Sequence, residues 1–210
     1  MRTEVALGID VGGTNTAFGF VDVSGNCIAD SSIQTKAHNS AAALFARLHP
    51  EIEKIYNSIS DKCILKGIGV GAPNANYYLG TVENPPNLKW GVVNVVEILR
   101  QYYDVPVAIT NDANASAIGE MLFGAAKGMK DFILITLGTG LGSGIVANGE
   151  LILGHTGFAG ELGHTIIIQH GRMCKCGRKG CLEQYCSATG IVKTYLEILK
   201  NDGKEMPENF

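Results

Sequence analysis

An α/β protein of two lobes is what the sequence predicts, and three features carry that expectation. Apolar runs of strand length alternate with stretches whose apolar residues recur at three-and-four spacing. A glycine-rich turn between two strands occurs in each half of the chain, at 10–14 and at 138–144. Between the halves, Gly124 to Lys130 (GAAKGMK) has the small residues of a hinge, so the lobes are expected at 1–127 and 128–210.

The elements follow in order. Val5 to Ile9 and Thr16 to Val23 are strands joined by the turn Asp10 to Thr14, DVGGT. Cys27 to Thr35 is a third strand. From Ser40 to Ile59, Leu44, Leu48, Ile52, Ile55 and Ile59 mark an amphipathic helix. Gly67 to Val70 is a buried strand, and the Gly, Pro and Asn of 71–91 predict loop and short hairpin. Val93 to Tyr103 has a helical pattern and Val105 to Ile109 that of a strand. At Asn111-Asp112-Ala113-Asn114 the strand gives way to an Ala-rich helix. Phe132 to Leu137 and Ile145 to Ala147 are strands on either side of the second glycine run. A last helix, Ser187 to Lys200, carries Ile191, Val192, Tyr195, Leu196 and Leu199 on one face, and the chain then turns polar.

The 210 residues, 46% hydrophobic and 18% charged, suffice for a substantial core. A formal charge of −3 without a basic cluster argues against a nucleic-acid partner, whose phosphates call for a Lys/Arg patch. The N-terminal apolar run breaks at Gly8, too early for a signal segment or a spanning helix, so a cytoplasmic protein without a membrane partner is expected.

Both glycine turns have the chemistry of a phosphate clasp. Gly12 and Gly13 leave backbone N–H groups unobstructed, Thr14 adds a hydroxyl, and Asp10 supplies a carboxylate suited to hydrated Mg²⁺. Gly138, Thr139 and Gly140 open the second turn, where the following strand rules out a dinucleotide fingerprint. A hairpin turn is the ordinary alternative for either alone. Asp112, at a strand's carboxyl end and a helix's first turn, is placed to meet a ligand or to cap the helix. Asn74, Asn87 and Trp90 belong to the loop-rich segment and are candidates to face a sugar, with turn chemistry and core packing as the alternatives.

The run Gly154 to Glu183 gathers Cys174, Cys176 and Cys181 with His155, His164, His170, Glu161 and Glu183. C-x-C-x4-C, with Gly177 and Gly180 for tight turns, suits three thiolates around one zinc ion. Spacing leaves the fourth ligand open between Cys186 and His164.

Glu161-Leu162-Gly163-His164 followed by Cys174-x-Cys176-Gly177-x-x-Gly180-Cys181-Leu182-Glu183 resembles the ROK family of sugar kinases and sugar-responsive repressors. The resemblance spans essentially the whole chain. It implies an actin-like ATPase (ribonuclease H-like) two-lobed fold with the second lobe incomplete, since family members run on beyond this length. It also implies His164, Cys174, Cys176 and Cys181 as ligands of a structural zinc, with Cys186 a spectator. N-D-A-N corresponds to the family's catalytic segment, which makes Asp112 the general base and Asn111 a hydrogen-bonding partner of the sugar ring. Glu161, His164 and Glu183 then contact sugar hydroxyls. The implied activity is phosphorylation of a hexose by Mg·ATP, with glucose 6-phosphate the expected product and a homodimer the expected assembly. A repressor, which needs a DNA-binding element ahead of the first turn where only four residues precede Val5, and a sugar-binding fragment without chemistry are the alternatives.

Overall fold

The computed structural model describes residues 2–204, so the end of the polar stretch predicted after Lys200 lies outside the described residues. The first sheet is built from β1 (Thr3–Val11), β2 (Asn15–Asp22), β3 (Cys27–Gln34), β4 (Cys63–Gly71) and, after several intervening elements, β8 (Val107–Thr110). Its order is β3-β2-β1-β4-β8, with β1, β2 and β3 antiparallel and β4 and β8 parallel to β1. Alternation along β1 sends Val5, Leu7, Ile9 and Val11 to one face. There they meet Phe18 and Phe20 of β2 and the buried residues Leu44, Phe45, Leu48 and Ile52 of α1 (Ala41–Ile59). Ser40 caps that helix by accepting from the Ala43 amide at 3.2 Å.

The opposite face of the same sheet carries Ala6 and Gly8 of β1, Ala17 of β2, Gly69 of β4 and Ala108 of β8, all exposed. A cleft of about 1070 Å³ runs along this face and reaches Asp10, Asp112 and Thr136. Side chains this small leave the strand backbones open to whatever fills the cleft.

Between β4 and β8, the segment predicted as loop and hairpin forms a small sheet of β5 (Ala75–Asn76), β6 (Thr81–Glu83) and β7 (Val92–Asn94). Its third strand shortens the helix predicted from Val93. Val92, Val93 and Asn94 pair with β6, and α2 (Val95–Arg100) begins only after Asn94, whose side chain accepts the Glu97 amide as a cap. Trp90 is core, 7% exposed, with its indole N–H donated to Asn39 O. Asn74 has a left-handed backbone and donates to Glu83 O and Asn84 O. Both therefore take the structural alternative.

α3 (Asp112–Phe123) leads to β9 (Phe132–Leu137), β10 (Leu141–Ala147) and β11 (Glu150–Leu151), a second sheet ordered β11-β10-β9. Here the strand begins earlier than expected, at Leu141, so Gly142 and Gly144 are strand residues. The reason is packing. A Cβ on Gly144 would lie 2.7 Å from Ala117 Cβ and 2.9 Å from Ala113 O, and one on Gly142 would lie 3.1 Å from Ala113 Cβ. These glycines let α3 approach the sheet, leaving only Gly138 to Gly140 as a free turn.

A 3-10 turn (Leu162–His164), α4 (Glu183–Cys186) and α5 (Ala188–Asn201) complete the described chain. The apolar face predicted for α5 is only partly covered, because Ile191 and Tyr195 remain exposed, as do Ile133, Ile135 and Leu137 on β9. No helix among the described residues is long and apolar enough to cross a membrane.

Candidate functional site

The first glycine turn closes through Gly12 N–H to Asn15 O at 3.0 Å. Gly12 is obligatory there, since a Cβ would sit 2.7 Å from Asn15 O. Thr35 braces the turn twice, donating its hydroxyl to Gly12 O at 2.7 Å and its amide to Thr14 O at 2.8 Å. Thr16 donates in turn to Thr35 Oγ1 at 2.8 Å. Asn87 lies against Gly13, where a Cβ would come 3.1 Å from its own. The substrate residue expected at position 87 thus also walls the first turn.

Asp10 and Asp112 face one another across Gly71. A Cβ built on Gly71 would stand 3.7 Å from Asp112 Cα and 3.8 Å from Asp10 Oδ1. Burial pushes the Asp10 carboxyl above the usual range, and the negative charge of Asp112 pushes it further. Asn111 caps α3, with its Oδ1 and that of Asp112 both accepting the Ala113 amide, at 3.1 and 2.8 Å. Capping and site placement coexist in Asp112, because the helix start is where the strand ends beside the cleft.

The second turn is held by the chain's C-terminal helices. Gly138 O accepts the Ala188 amide at 2.9 Å, Thr139 O accepts the Thr189 hydroxyl at 2.9 Å, and Leu141 N donates to Glu183 Oε2 at 3.1 Å. Gly140 makes room for that carboxylate, as a Cβ would lie 2.7 Å from the same oxygen and displace it.

Glu161 belongs to the same group of charges. Burial raises its carboxyl most, His164 draws it back, and Asp112 and Glu183 raise it further. Its Oε2 is 3.9 Å from His164 Nε2. Four carboxylates from separate parts of the sequence are thus linked in a chain of electrostatic contacts, Asp10 to Asp112, Asp112 to Glu161 and Glu161 to Glu183.

The other nitrogen of His164 faces the thiols. His164 Nδ1, Cys174 Sγ, Cys176 Sγ and Cys181 Sγ lie within 4.8 Å of one another. Cys174 Sγ to His164 Nδ1 and Cys176 Sγ to Cys181 Sγ are each 3.6 Å. A tetrahedral zinc with Zn–S of about 2.3 Å requires sulfurs about 3.8 Å apart, so the donor set fits. Cys186, at the end of α4, is not in the group. The knuckle is shaped by Gly177 and Gly180, both left-handed, and a Cβ on Gly180 would overlap Ile168 O.

Several supporting residues escape sequence reasoning. Arg172, whose side chain is 16% exposed, donates to Gln184 O, Gly190 O, Thr194 Oγ1 and Glu197 and lies 4.5 Å over the Tyr185 ring, tying the thiol loop to α5. Ser143 bonds both neighbours of Glu161. Thr35 braces the first turn. All three act across long sequence separations, which no local spacing reveals.

A family model described as ROK family matches residues 6–209. The chain is 39% identical over 194 residues to a glucokinase of Halalkalibacterium halodurans, covering 91% of this chain and 59% of that protein. It is 36% identical over 197 residues to a xylose repressor of Caldicellulosiruptor bescii, covering 92% of this chain and 49% of the repressor. Among solved structures, a ROK family glucokinase from Streptomyces griseus in complex with glucose and AMPPNP superposes with a TM-score of 0.76 at 34% identity, over 95% of this chain and 62% of that one. The chain thus spans roughly three-fifths of the glucokinases' length and half of the repressor's. The likeness identifies the fold as the actin-like ATPase fold expected from the sequence.

Proposed function

The chain belongs to the ROK family, and from that premise we propose that it is the part of an ATP-dependent hexose kinase that carries the sugar carboxylates, the catalytic base and both phosphate turns. The electrostatic coupling of Asp112 to Glu161 and of Glu161 to Glu183, with Asp10 coupled to Asp112, carries this reading. Relatives that are glucokinases, and the glucose and AMPPNP complex of one of them, favour glucose as the substrate.

In this reading the division into lobes falls near Lys127. Asn111, Asn87, Glu161, His164 and Glu183 orient the sugar. Ionised carboxylates accept hydrogen bonds from hydroxyls, which a polyol offers in number. Asp112 accepts the proton of the 6-hydroxyl as that oxygen bonds to the γ-phosphorus of ATP, while the β–γ bridging P–O bond breaks and ADP departs. The turns Gly12–Gly13–Thr14 and Gly138–Thr139–Gly140 take the phosphates from either side: Gly12 and Gly138 spend their amides closing the turns, on Asn15 O and Gly140 O at 3.0 Å each, and the amides of Gly13, Thr14, Thr139 and Gly140 are the ones offered to the phosphates. Asp10 is the carboxylate placed for a hydrated Mg²⁺, which when bound neutralises charge developing on the phosphates. Zinc on His164 and the three cysteines is structural, fixing where Glu161 and Glu183 project.

A coupled assay of ATP consumption over glucose, mannose, fructose, allose and N-acetylated hexosamines tests the proposal. Turnover highest with glucose is the expected result. Calorimetry with glucose and ATP separately covers a chain that binds without turning over, and heat from neither would overturn the reading. The xylose-repressor relatives favour a second reading, a sugar sensor without chemistry, which predicts sugar heat and no ATP consumption.

A further inference from the structure

β10 lies between two layers and presents a different chemistry to each. Successive side chains of a strand point to opposite faces, and here Gly142 and Gly144 face α3 while Leu141 and Ser143 face the segment 160–163. A Cβ on Gly163 would come 3.3 Å from Leu141 Cβ, and one on Gly160, whose φ is +88°, would stand 2.7 Å from Ser143 O. In this contact Ser143, 7% exposed, uses its hydroxyl in both senses. It donates to Gly160 O and accepts the Leu162 amide at 3.3 Å. The two groups it holds flank Glu161, while the far side of the same strand rests on Ala113, the residue after Asp112.

We propose that Ser143, although it sits inside the glycine run suited to phosphate, is a positioning residue for the sugar: it holds residues 160 and 162 so that the Glu161 carboxylate keeps its place relative to Asp112. The assignment rests on the sugar-kinase reading and adds a specificity role that the glycine run alone does not suggest. Only a hydroxyl serves here, because one atom must both donate to a carbonyl and accept from an amide. Alanine loses both bonds and threonine keeps them.

The test compares the wild-type chain with Ser143→Ala and Ser143→Thr. Hydrogen exchange by NMR reads the Leu162 amide, with the Gly177 amide of the thiol knuckle as the internal control. Calorimetry reads glucose and ATP separately. In Ser143→Ala the Leu162 amide is expected to exchange at least about tenfold faster with Gly177 unchanged, and glucose to bind about tenfold more weakly with the ATP constant held within about twofold. Ser143→Thr restores both. Should Ser143→Ala not fold, Ser143→Cys, of similar volume and weak hydrogen bonding, carries the same comparison. Unchanged glucose affinity in a variant whose wild-type parent binds glucose overturns the assignment, as does equal weakening of glucose and ATP. A wild-type chain that binds no hexose instead overturns the sugar-kinase reading and the sugar role of Ser143 with it, even where the Leu162 amide responds.

Discussion

Glu183 Oε2 accepts the Leu141 amide at 3.1 Å, so a carboxylate proposed for the sugar is bonded to the backbone that follows the second glycine turn. Gly140 stands directly against that oxygen. Gly140→Ala pushes the end of a flexible side chain rather than backbone, and its stability cost is expected below about 1 kcal/mol. Its binding cost is expected to be larger: with Glu183 displaced, glucose affinity falls about tenfold. Denaturant unfolding and calorimetry on the same variant separate the two effects, and an unchanged glucose constant would show that Glu183 has no part in sugar binding.

Gly144→Ala has the opposite profile. Its Cβ meets Ala117 Cβ at 2.7 Å and Ala113 O at 2.9 Å, neither of which moves without shifting α3. A loss of about 1–3 kcal/mol in unfolding free energy is expected. Adding Ala117→Gly relieves the side-chain clash but not the approach to Ala113 O, so the double variant recovers only part of the loss. Full additivity of the two substitutions would mean that the helix and strand are not in contact there.

These glycines show where sequence reading reaches its limit. The strands of the first sheet were legible because alternation writes burial into the residue types, as Val5, Leu7 and Ile9 do against Ala6 and Gly8. The thiols were legible because metal ligation needs particular side chains close together in the chain. By contrast, the run 138–144 reads as one motif, although Gly140 spares a carboxylate, Gly142 and Gly144 spare a helix, and Ser143 grips a third segment. A missing side chain does not say what occupies the space. The helix predicted at Val93 started late for a related reason: a three-residue strand pairing with a distant partner overrides the local pattern of Val92 to Asn94.

The thiol knuckle predicts its own metal dependence. One zinc per chain is expected by elemental analysis, and its removal by a chelator should lower the melting temperature by about 10 °C or more, because the ion would tie together three thiolates and an imidazole in a loop otherwise closed by backbone bonds such as Cys174 N to Arg178 O and Gly180 N to Arg172 O. Cys174→Ser should lose the metal and Cys186→Ser should keep it, since Cys186 lies outside the donor group. Zinc retained at full stoichiometry in Cys174→Ser would remove that residue from the ligand set.

Asp10 gives a pH signature. Its carboxyl is raised in the folded protein, by burial first and by Asp112 second, so the unfolded chain ionises more readily than the folded one. Above the raised value the charge opposes folding; below the ordinary value of 3.8 both states are protonated and the opposition is gone. Asp10→Asn should therefore melt higher than wild type at neutral pH, with the gap closing as pH falls towards about 4. The partial exposure of Asp10 keeps the effect small. A variant that melts lower at neutral pH would indicate that the carboxylate is held by favourable bonds instead.

Asp112→Asn tests the chemistry itself. Asparagine keeps the shape and can still accept the Ala113 amide that Asp112 Oδ1 now accepts at 2.8 Å, so α3 should start where it does in wild type. It removes the carboxylate proposed to take the hydroxyl proton. General-base catalysis contributes about 10²- to 10⁴-fold, and turnover should fall by that factor in a protein with wild-type glucose affinity and zinc content. Loss of a charge beside Asp10 and Glu161 should also let both of those carboxyls ionise more easily, since Asp112 contributes to the rise of each. A folded, sugar-binding Asp112→Asn chain that keeps most of its turnover would move the base elsewhere, and Glu161, whose carboxyl is itself raised and faces the same charges, is where the search would turn.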